Sequence, residues 1–196
     1  SAEKYLAYFQ SYSNTYAPLE RLQEIFSQAF KLPQIAGIIV GTRPDCIDER
    51  KLDYFASLAE HYYVVIEYGI ESCYDTTLAS INRGHDFACA RRALELTAAR
   101  GIHTGAHFIL GLPGETRQMM LDQTDMINTL PLNTVKFHQL QLFKNTPMAE
   151  EFTHHPERFH FTDKETYIDF FIDMLERLRP DLVMERFAGE APPRFH

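Results

Sequence analysis

The sequence predicts an α/β fold in which a parallel sheet curls into a barrel or part of a barrel. Strand-like and helix-like stretches alternate with a period of roughly 30 residues, which is typical of βαβ units. No GxGxxG motif follows the first strand, so a doubly wound dinucleotide-binding sheet is disfavoured. The central strands carry polar groups on one face and apolar groups on the other, which suits a barrel with a polar lumen better than an open sheet.

Composition and charge are ordinary for a soluble globular protein and predict a single domain over residues 1–196. Apolar residues make up 45% and charged residues 23% of the 196 residues, enough for one sizeable core. No apolar run approaches the roughly 20 residues of a membrane span. The net charge of −8 offers no broad basic surface for nucleic acid or an anionic membrane, although it permits a small basic pocket. Three widely spaced cysteines predict a reducing compartment, hence the cytoplasm.

The elements follow one another as strand and helix along the chain. Strands are predicted, in order, at residues 5–10, 35–42, 63–72, 105–112 and 134–143, with a weaker one at 182–189. Helices are predicted to begin at Pro18, Asp48, Asp86, after Thr116 and at a capping box over 162–165. Gly101 is expected to end the third helix in a left-handed conformation.

The polar faces of the central strands carry candidate ligand-binding side chains. Two carboxylates, Glu67 and Glu71, alternate with apolar residues on one strand, and His107, Lys136 and His138 do so on the next two. Such groups are costly in a dry core without partners, so we expect them to face a wet lumen.

A metal site is disfavoured for the strand histidines. His103, His107 and His138 could in principle bind a transition metal. No HxH or HExxH pair accompanies them, and a single histidine on a strand is more often a hydrogen-bonded core residue.

The stretch GLPGET at residues 111–116 joins a strand to a helix. It lacks the Walker lysine, so a nucleotide P-loop is excluded. The motif by itself is compatible with an anion cradle at a helix N-terminus and with an ordinary βα connection. In the second case Glu115 and Thr116 only start the helix.

Two further segments end strands in polar residues, and strand C-termini are where parallel α/β folds build their sites. Glu71 and Ser72 are followed by Arg83, which can bind a carboxylate or form a surface salt bridge. Residues 10–15 can bind a ligand through hydroxyl and amide groups, or serve the turn before Pro18.

In this order the motifs resemble the radical SAM superfamily, in the branch of the Elongator catalytic subunit. The resembling stretches are "KYLAYFQSYSNTYAPLERL", "GIIVGTRPDCI", "IEYGIESCYDTTLASINRGHDF", "HTGAHFILGLPGET" and "TVKFHQLQLFKNTPMAEEF". The resemblance implies a partial, TIM-type (β/α)6 barrel, truncated at its N-terminal strand, with S-adenosylmethionine across the strand C-termini. It also implies that the full-length parent uses a [4Fe–4S] cluster to cleave this cofactor to a deoxyadenosyl radical.

The resemblance further implies roles for particular residues. The positions matched to cofactor contacts are Gln10, Ser13, Asn14 and Thr15 for the methionine moiety, Glu71, Ser72 and Arg83 for polar groups, and Ile109, Gly111 and Leu112 for the adenine. The positions expected on the substrate side of the lumen are Glu67, His107, Lys136 and His138.

One feature of the family is missing from this sequence. The CxxxCxxC motif that binds the cluster is absent, and Cys46, Cys73 and Cys89 cannot imitate it. We therefore expect a barrel fragment that does not hold the cluster and is inactive by itself, although its parent is an enzyme acting on an unknown substrate, an RNA or a small molecule. Exposed barrel edges predict self-association. The alternatives are a cluster-free module that binds S-adenosylmethionine or a nucleoside and, less favoured, a metal-dependent hydrolase.

Overall fold

The computed structural model describes residues 3–189. Its strands are β1 (Tyr5–Phe9), β2 (Ile35–Thr42), β3 (Tyr63–Glu71), β4 (His103–Leu110), β5 (Thr134–Gln139) and β6 (Val183–Arg186). They form one sheet in the order β1-β2-β3-β4-β5-β6. The sheet order therefore equals the chain order, as in a (β/α) barrel and unlike a doubly wound sheet, whose order reverses at a switch point.

Helices connect the strands. They are α1 (Leu19–Ala29), α2 (Glu49–Ala59), α3 (Asp75–Ser80), α4 (Phe87–Ala98), α5 (Arg117–Asn128), α6 (Pro147–His154) and α7 (Lys164–Arg177). Asp48 caps α2 by accepting from the backbone N–H of Lys51 at 3.0 Å. Thr116 caps α5 in the same way, and Gly101 follows α4 with φ of 70°. These three predictions from sequence are confirmed.

Some predicted boundaries were wrong. Asp163, not Thr162, caps α7, with its side chain accepting from the N–H of Thr166 at 2.8 Å. Threonine and aspartate are both good N-cap residues, and the capping-box pattern pointed to Thr162 instead of the adjacent Asp163. Helix α6 was not predicted, and β5 ends at Gln139 instead of continuing to residue 143.

The described chain contains two compact units, and the first runs to Ile70 and also includes Ala88–Ala106 and Pro131–Asn133. Within it β1 pairs with β2 and β2 with β3, both in parallel. The predicted apolar face of β3 is confirmed, since Ile66, Tyr68 and Ile70 are fully buried. The Tyr68 hydroxyl shares a hydrogen bond of 2.7 Å with that of Thr97 on α4.

Among the described residues, the second unit comprises Glu71–Phe87, His107–Leu130 and residues 134–189. In it β5 pairs with β6 in parallel. The Phe108 and Phe137 rings lie 5.8 Å apart, and Phe137 meets Phe171 of α7 edge to face. The assignment of residues 1–196 to a single domain stays a prediction.

None of the helices between residues 3 and 189 combines the length and the apolar character that a membrane span requires.

Candidate functional site

Glu71 ends β3 in an unusual backbone conformation and forms a half-buried ion pair. Its φ is 76°, a region that non-glycine residues seldom occupy. Its Oε1 lies 2.9 Å from Nη2 of Arg83, in the turn after α3. Burial raises the pKa of Glu71, while the positive charges of Arg83 and His107 act in the opposite direction. The structure thus brings together two of the predicted cofactor-binding residues.

Ser72, the next predicted residue, is fully buried in a polar cluster. Its hydroxyl donates to the carboxylate of Glu115 and accepts from the backbone N–H of Tyr74 at 3.0 Å. Glu115 also accepts from Nε2 of Gln123 at 3.2 Å, and Oε1 of Gln123 accepts from the N–H of Cys73 at 2.9 Å. The cluster fixes the segment that follows Glu71. A contact of Ser72 with a cofactor stays a prediction.

Glu115 is a residue that reasoning from the sequence missed. It is fully buried, and burial raises its pKa although Ser72 and Gln123 donate to it. It directly precedes the Thr116 cap of α5, a position where an exposed acidic residue is normal. The sequence held no signal for its burial, because the partner Ser72 lies 43 positions away.

The turn at 111–114 uses its glycines for left-handed backbone and internal hydrogen bonds. Gly111 has φ of 84° and Gly114 has φ of 83°. The N–H of Gly111 donates to Sδ of Met120 at 3.1 Å, and that of Gly114 donates to the carbonyl of Arg158 at 2.8 Å. Both donors are engaged within the protein, so the anion-cradle interpretation is disfavoured. Leu112 is buried beneath the turn.

The predicted methionine-side residues belong to the first unit and differ in exposure. Asn14 donates through Nδ2 to the carbonyls of Phe9 and Gly41, at 2.9 and 2.8 Å. Thr15 is fully buried, and its hydroxyl donates to the carbonyl of Cys46 at 2.7 Å. Both side chains hold the loop after β1. Gln10 is exposed and Ser13 half-buried, and all four roles stay predictions.

A cavity of about 600 Å³ lies within the second unit. It is lined by Glu71, His107, Ile109, His138, Gln139, Leu140, Gln141, Phe143, Arg186, Ala188 and Gly189. The His107 and His138 rings lie 5.5 Å apart between their centroids. Of the predicted site residues, Glu71, Ile109 and the two histidines therefore share one cavity.

His138 is held in its neutral form by its surroundings. Burial lowers its pKa to about 4, and the neighbouring positive charges of His107, Arg186 and Lys136 act in the same direction. At neutral pH its imidazole can therefore donate one hydrogen bond and accept another.

The other two predicted lumen residues do not line this cavity. Lys136 is buried, and its Nζ lies 3.1 Å from Oε2 of Glu185. Glu67, in the first unit, is 1% exposed and accepts from the Tyr8 hydroxyl at 2.7 Å. Each buried charge has a partner, as expected for ionisable groups inside a protein. Their substrate-side roles stay predictions.

The cysteines present do not fit an iron–sulfur cluster. Cys46 and Cys73 are buried and Cys89 is half-buried. In the part of the chain that the structure describes, no three metal-ligating side chains come together. A cluster needs several thiolates around it, and these residues do not supply such a set.

Comparisons with known proteins identify the family. The model of the radical SAM superfamily matches residues 4–127, more than half of the chain. The chain belongs to the radical SAM superfamily. The model of the radical SAM C-terminal domain matches residues 132–195.

Two curated relatives agree with the assignment, and a solved structure shares the fold. YtqA of Bacillus subtilis is 35% identical over 96% of this chain and 58% of its own length. Protein YhcC of Escherichia coli is 34% identical over 97% of this chain and 61% of its own. The archaeal Methanocaldococcus infernus Elp3 with an N-terminal deletion superposes with a TM-score of 0.83 at 16% identity, over 99% of this chain and 50% of that one. The predicted family and the α/β partial-barrel fold class are confirmed.

This radical SAM chain spans about 60% of the length of the curated relatives it matches, 58% of YtqA and 61% of YhcC.

Proposed function

We propose that this chain is the part of a radical SAM enzyme that binds S-adenosylmethionine and the substrate, while the cluster is bound by residues outside it. Family membership supports an enzyme as the parent. When bound in that parent, the cluster supplies the electron that cleaves the cofactor. The residues of this chain bind and orient the cofactor and the substrate.

The observation that carries the proposal is the pair formed by Glu71 and Arg83. It places a carboxylate and a guanidinium 2.9 Å apart at the end of β3, with Glu71 lining the cavity. The methionine moiety of the cofactor has an ammonium and a carboxylate, and its ribose has hydroxyls. A carboxylate can accept from an ammonium or a hydroxyl, and a guanidinium can donate to a carboxylate.

The proposed adenine contact belongs to the same cavity of the second unit. Ile109 lines the cavity and would contact the adenine, while buried Leu112 and the left-handed Gly111 hold the turn in place. In the first unit Asn14 and Thr15 are engaged in holding their loop, and a role of Gln10 and Ser13 toward the methionine moiety rests on the family resemblance alone.

Isothermal titration of this chain with S-adenosylmethionine tests the proposal. We expect weak but saturable binding, and Arg83→Gln should weaken it further by about tenfold or more, the effect of one lost charge-assisted hydrogen bond. Arg117→Gln is the matched control, because Arg117 pairs with Asp173 on the exposed surface. No binding, or equal affinities of Arg83→Gln and the wild type, would refute the proposal.

The same titration addresses the alternative of a cluster-free binding module. Tight binding by this chain alone, without a cluster, favours that alternative over the weak binding expected of one part of an enzyme. Anaerobic iron–sulfide reconstitution of the full-length parent completes the test, and absence of visible-region charge-transfer absorption would count against the enzyme. The proposed location of the parent is the cytoplasm. No finding favours the metal-dependent hydrolase.

A further inference from the structure

We propose that the cavity of the second unit binds an anionic group of the substrate, a carboxylate or a phosphate, through Arg186 together with His107 and His138. The inference names the chemical class of the substrate. It rests on the proposed function, because only that function makes the bound anion a substrate. Anion binding by the cavity can be tested independently of the cofactor.

The first argument is the balance of charges around the cavity. Among residues 3–189, Arg186 has no carboxylate partner, although it lines the cavity. Two other charged side chains nearby are paired, Glu71 with Arg83 and Lys136 with Glu185. The Arg186 guanidinium therefore remains to attract an anion, in a chain whose net charge is −8. A planar guanidinium binds a carboxylate or a phosphate in bidentate fashion.

The second argument is the register of the strands. Arg186 on β6 lies opposite Lys136 on β5, and His138 is two residues further along β5, on the same face of the strand. The His107 ring lies 5.5 Å from that of His138. The guanidinium and two imidazoles thus border one cavity. Neutral His138 can donate a hydrogen bond to an oxyanion without any compensating carboxylate of the protein.

The third argument is how closely the chain approaches His138. A Cβ at Gly189 would lie 2.9 Å from Nδ1 of His138, so a larger residue there would force the imidazole or the segment to shift. The Gln141 side chain donates to the carbonyl of Gly189, and Oε1 of Gln139 accepts from its N–H at 3.4 Å. These hydrogen bonds hold the segment after β6 beside the His138 imidazole. A ligand therefore has fewer positions available next to that ring.

The size and lining of the cavity define the rest of the ligand. A volume of about 600 Å³ lies within the range of small-molecule sites, roughly 300–1,000 Å³. Apart from Ile109, which the proposed function assigns to the adenine, Leu140 and Phe143 add apolar surface. The ligand is therefore an anion with an apolar or planar portion, larger than a free inorganic ion.

Three small aromatic probes test the charge requirement, namely benzoate, phenyl phosphate and benzamide, which is neutral and matches benzoate in size. Their affinities are measured by NMR titration of this chain with labelled histidine rings. We expect benzoate or phenyl phosphate, or both, to bind and to shift the signals of His107 and His138, and benzamide to bind at least about tenfold more weakly. The preferred anion distinguishes a carboxylate substrate from a phosphate substrate.

Variants identify the residue responsible. Arg186→Gln should reduce the affinity for the anion about tenfold or more, and Arg186→Lys should retain part of it. Arg177→Gln is the control, since Arg177 lies on α7 and faces Asp122 at 3.7 Å. Equal binding of benzamide and benzoate, unchanged anion affinity in Arg186→Gln, or no anion binding at all would overturn the inference. Titration of Arg186→Gln with S-adenosylmethionine should match the wild type, so failure of the anion site and failure of the cofactor site are distinguishable.

Discussion

Arg83 and Glu71 form an ion pair of 2.9 Å between the end of β3 and the turn after α3. Glu71 occupies a left-handed conformation there, with φ of 76°. Strained backbone of this kind costs on the order of 1–3 kcal/mol and is most often retained at functional sites. The pair joins the strand end to the segment that the family resemblance assigns to the cofactor, and the polar cluster around Ser72 supports the same segment.

Removing the buried carboxylate of that cluster should destabilise the protein. Glu115→Ala leaves the Ser72 hydroxyl and the Gln123 amide without their acceptor. We expect the free energy of unfolding to fall by about 2–4 kcal/mol, because two buried donors lose their partner. Glu176→Ala, at an exposed position of α7, should change it by less than about 0.5 kcal/mol. Equal effects in urea denaturation would contradict the role assigned to Glu115.

The neutral His138 should make stability depend on pH. Its pKa is lowered from 6.5 to about 4 in the folded protein, so the unfolded chain binds more protons between these values. The free energy of unfolding should therefore fall as the pH drops from 6.5 towards 4. Groups around His138 are His107, Arg186 and Lys136, with Glu71 lining the same cavity.

The variant His138→Gln isolates this contribution. It cannot take up the proton, so it should lose less stability than the wild type over this pH window. Denaturant unfolding at several pH values measures the difference. If the two proteins lose stability in parallel, His138 is not held neutral.

Replacing Gly37 by alanine should destabilise the protein more than replacing Gly101. On β2 it faces Tyr63 of β3, and a Cβ there would lie 1.9 Å from the Tyr63 carbonyl oxygen. Gly37→Ala must displace backbone and should cost about 3 kcal/mol or more. A Cβ at Gly101 would contact nothing within 4 Å, so Gly101→Ala should lose only the free energy of unfolding that a non-glycine residue costs at φ of 70°, about 1–2 kcal/mol. A larger loss in Gly101→Ala, measured by thermal unfolding, would show that this strand pairing is wrong.

The outer edge of β1 should promote self-association, in line with the prediction from sequence. β1 is the first strand of the sheet, and Tyr5, Leu6 and Tyr8 on it are 51, 40 and 39% exposed. Leu6→Lys places a charge on this edge and should shift sedimentation profiles towards monomer. Leu32→Lys, at a leucine that is 58% exposed outside the strands, should not. A strictly monomeric wild type at high concentration would contradict the prediction.

The parts of the fold that depend on local pattern could be predicted from the sequence. Alternation along β3 identified its buried face, including Tyr68, and the side chains of Asp48 and Thr116 identified two helix starts. Such features need only neighbouring residues, because strand faces and helix caps repeat over a few positions.

The candidate site was predicted less completely, because its contacts join distant residues. The burial of Glu115 depends on Ser72, 43 positions away, and that of Lys136 on the ion pair with Glu185. Arg186 was not identified at all, since its position beside Lys136 follows from the register of β5 and β6. A sequence pattern does not specify such pairings.

Hydrogen–deuterium exchange of this chain with and without S-adenosylmethionine tests the central claim most directly. The cofactor is proposed to lie over the Glu71–Arg83 pair and Ile109. We therefore expect slower exchange within residues 71–83 and 109–112 when it is bound, and little change along α7. Unchanged exchange in both segments at saturating cofactor, or protection confined to other parts of the chain, would contradict the account.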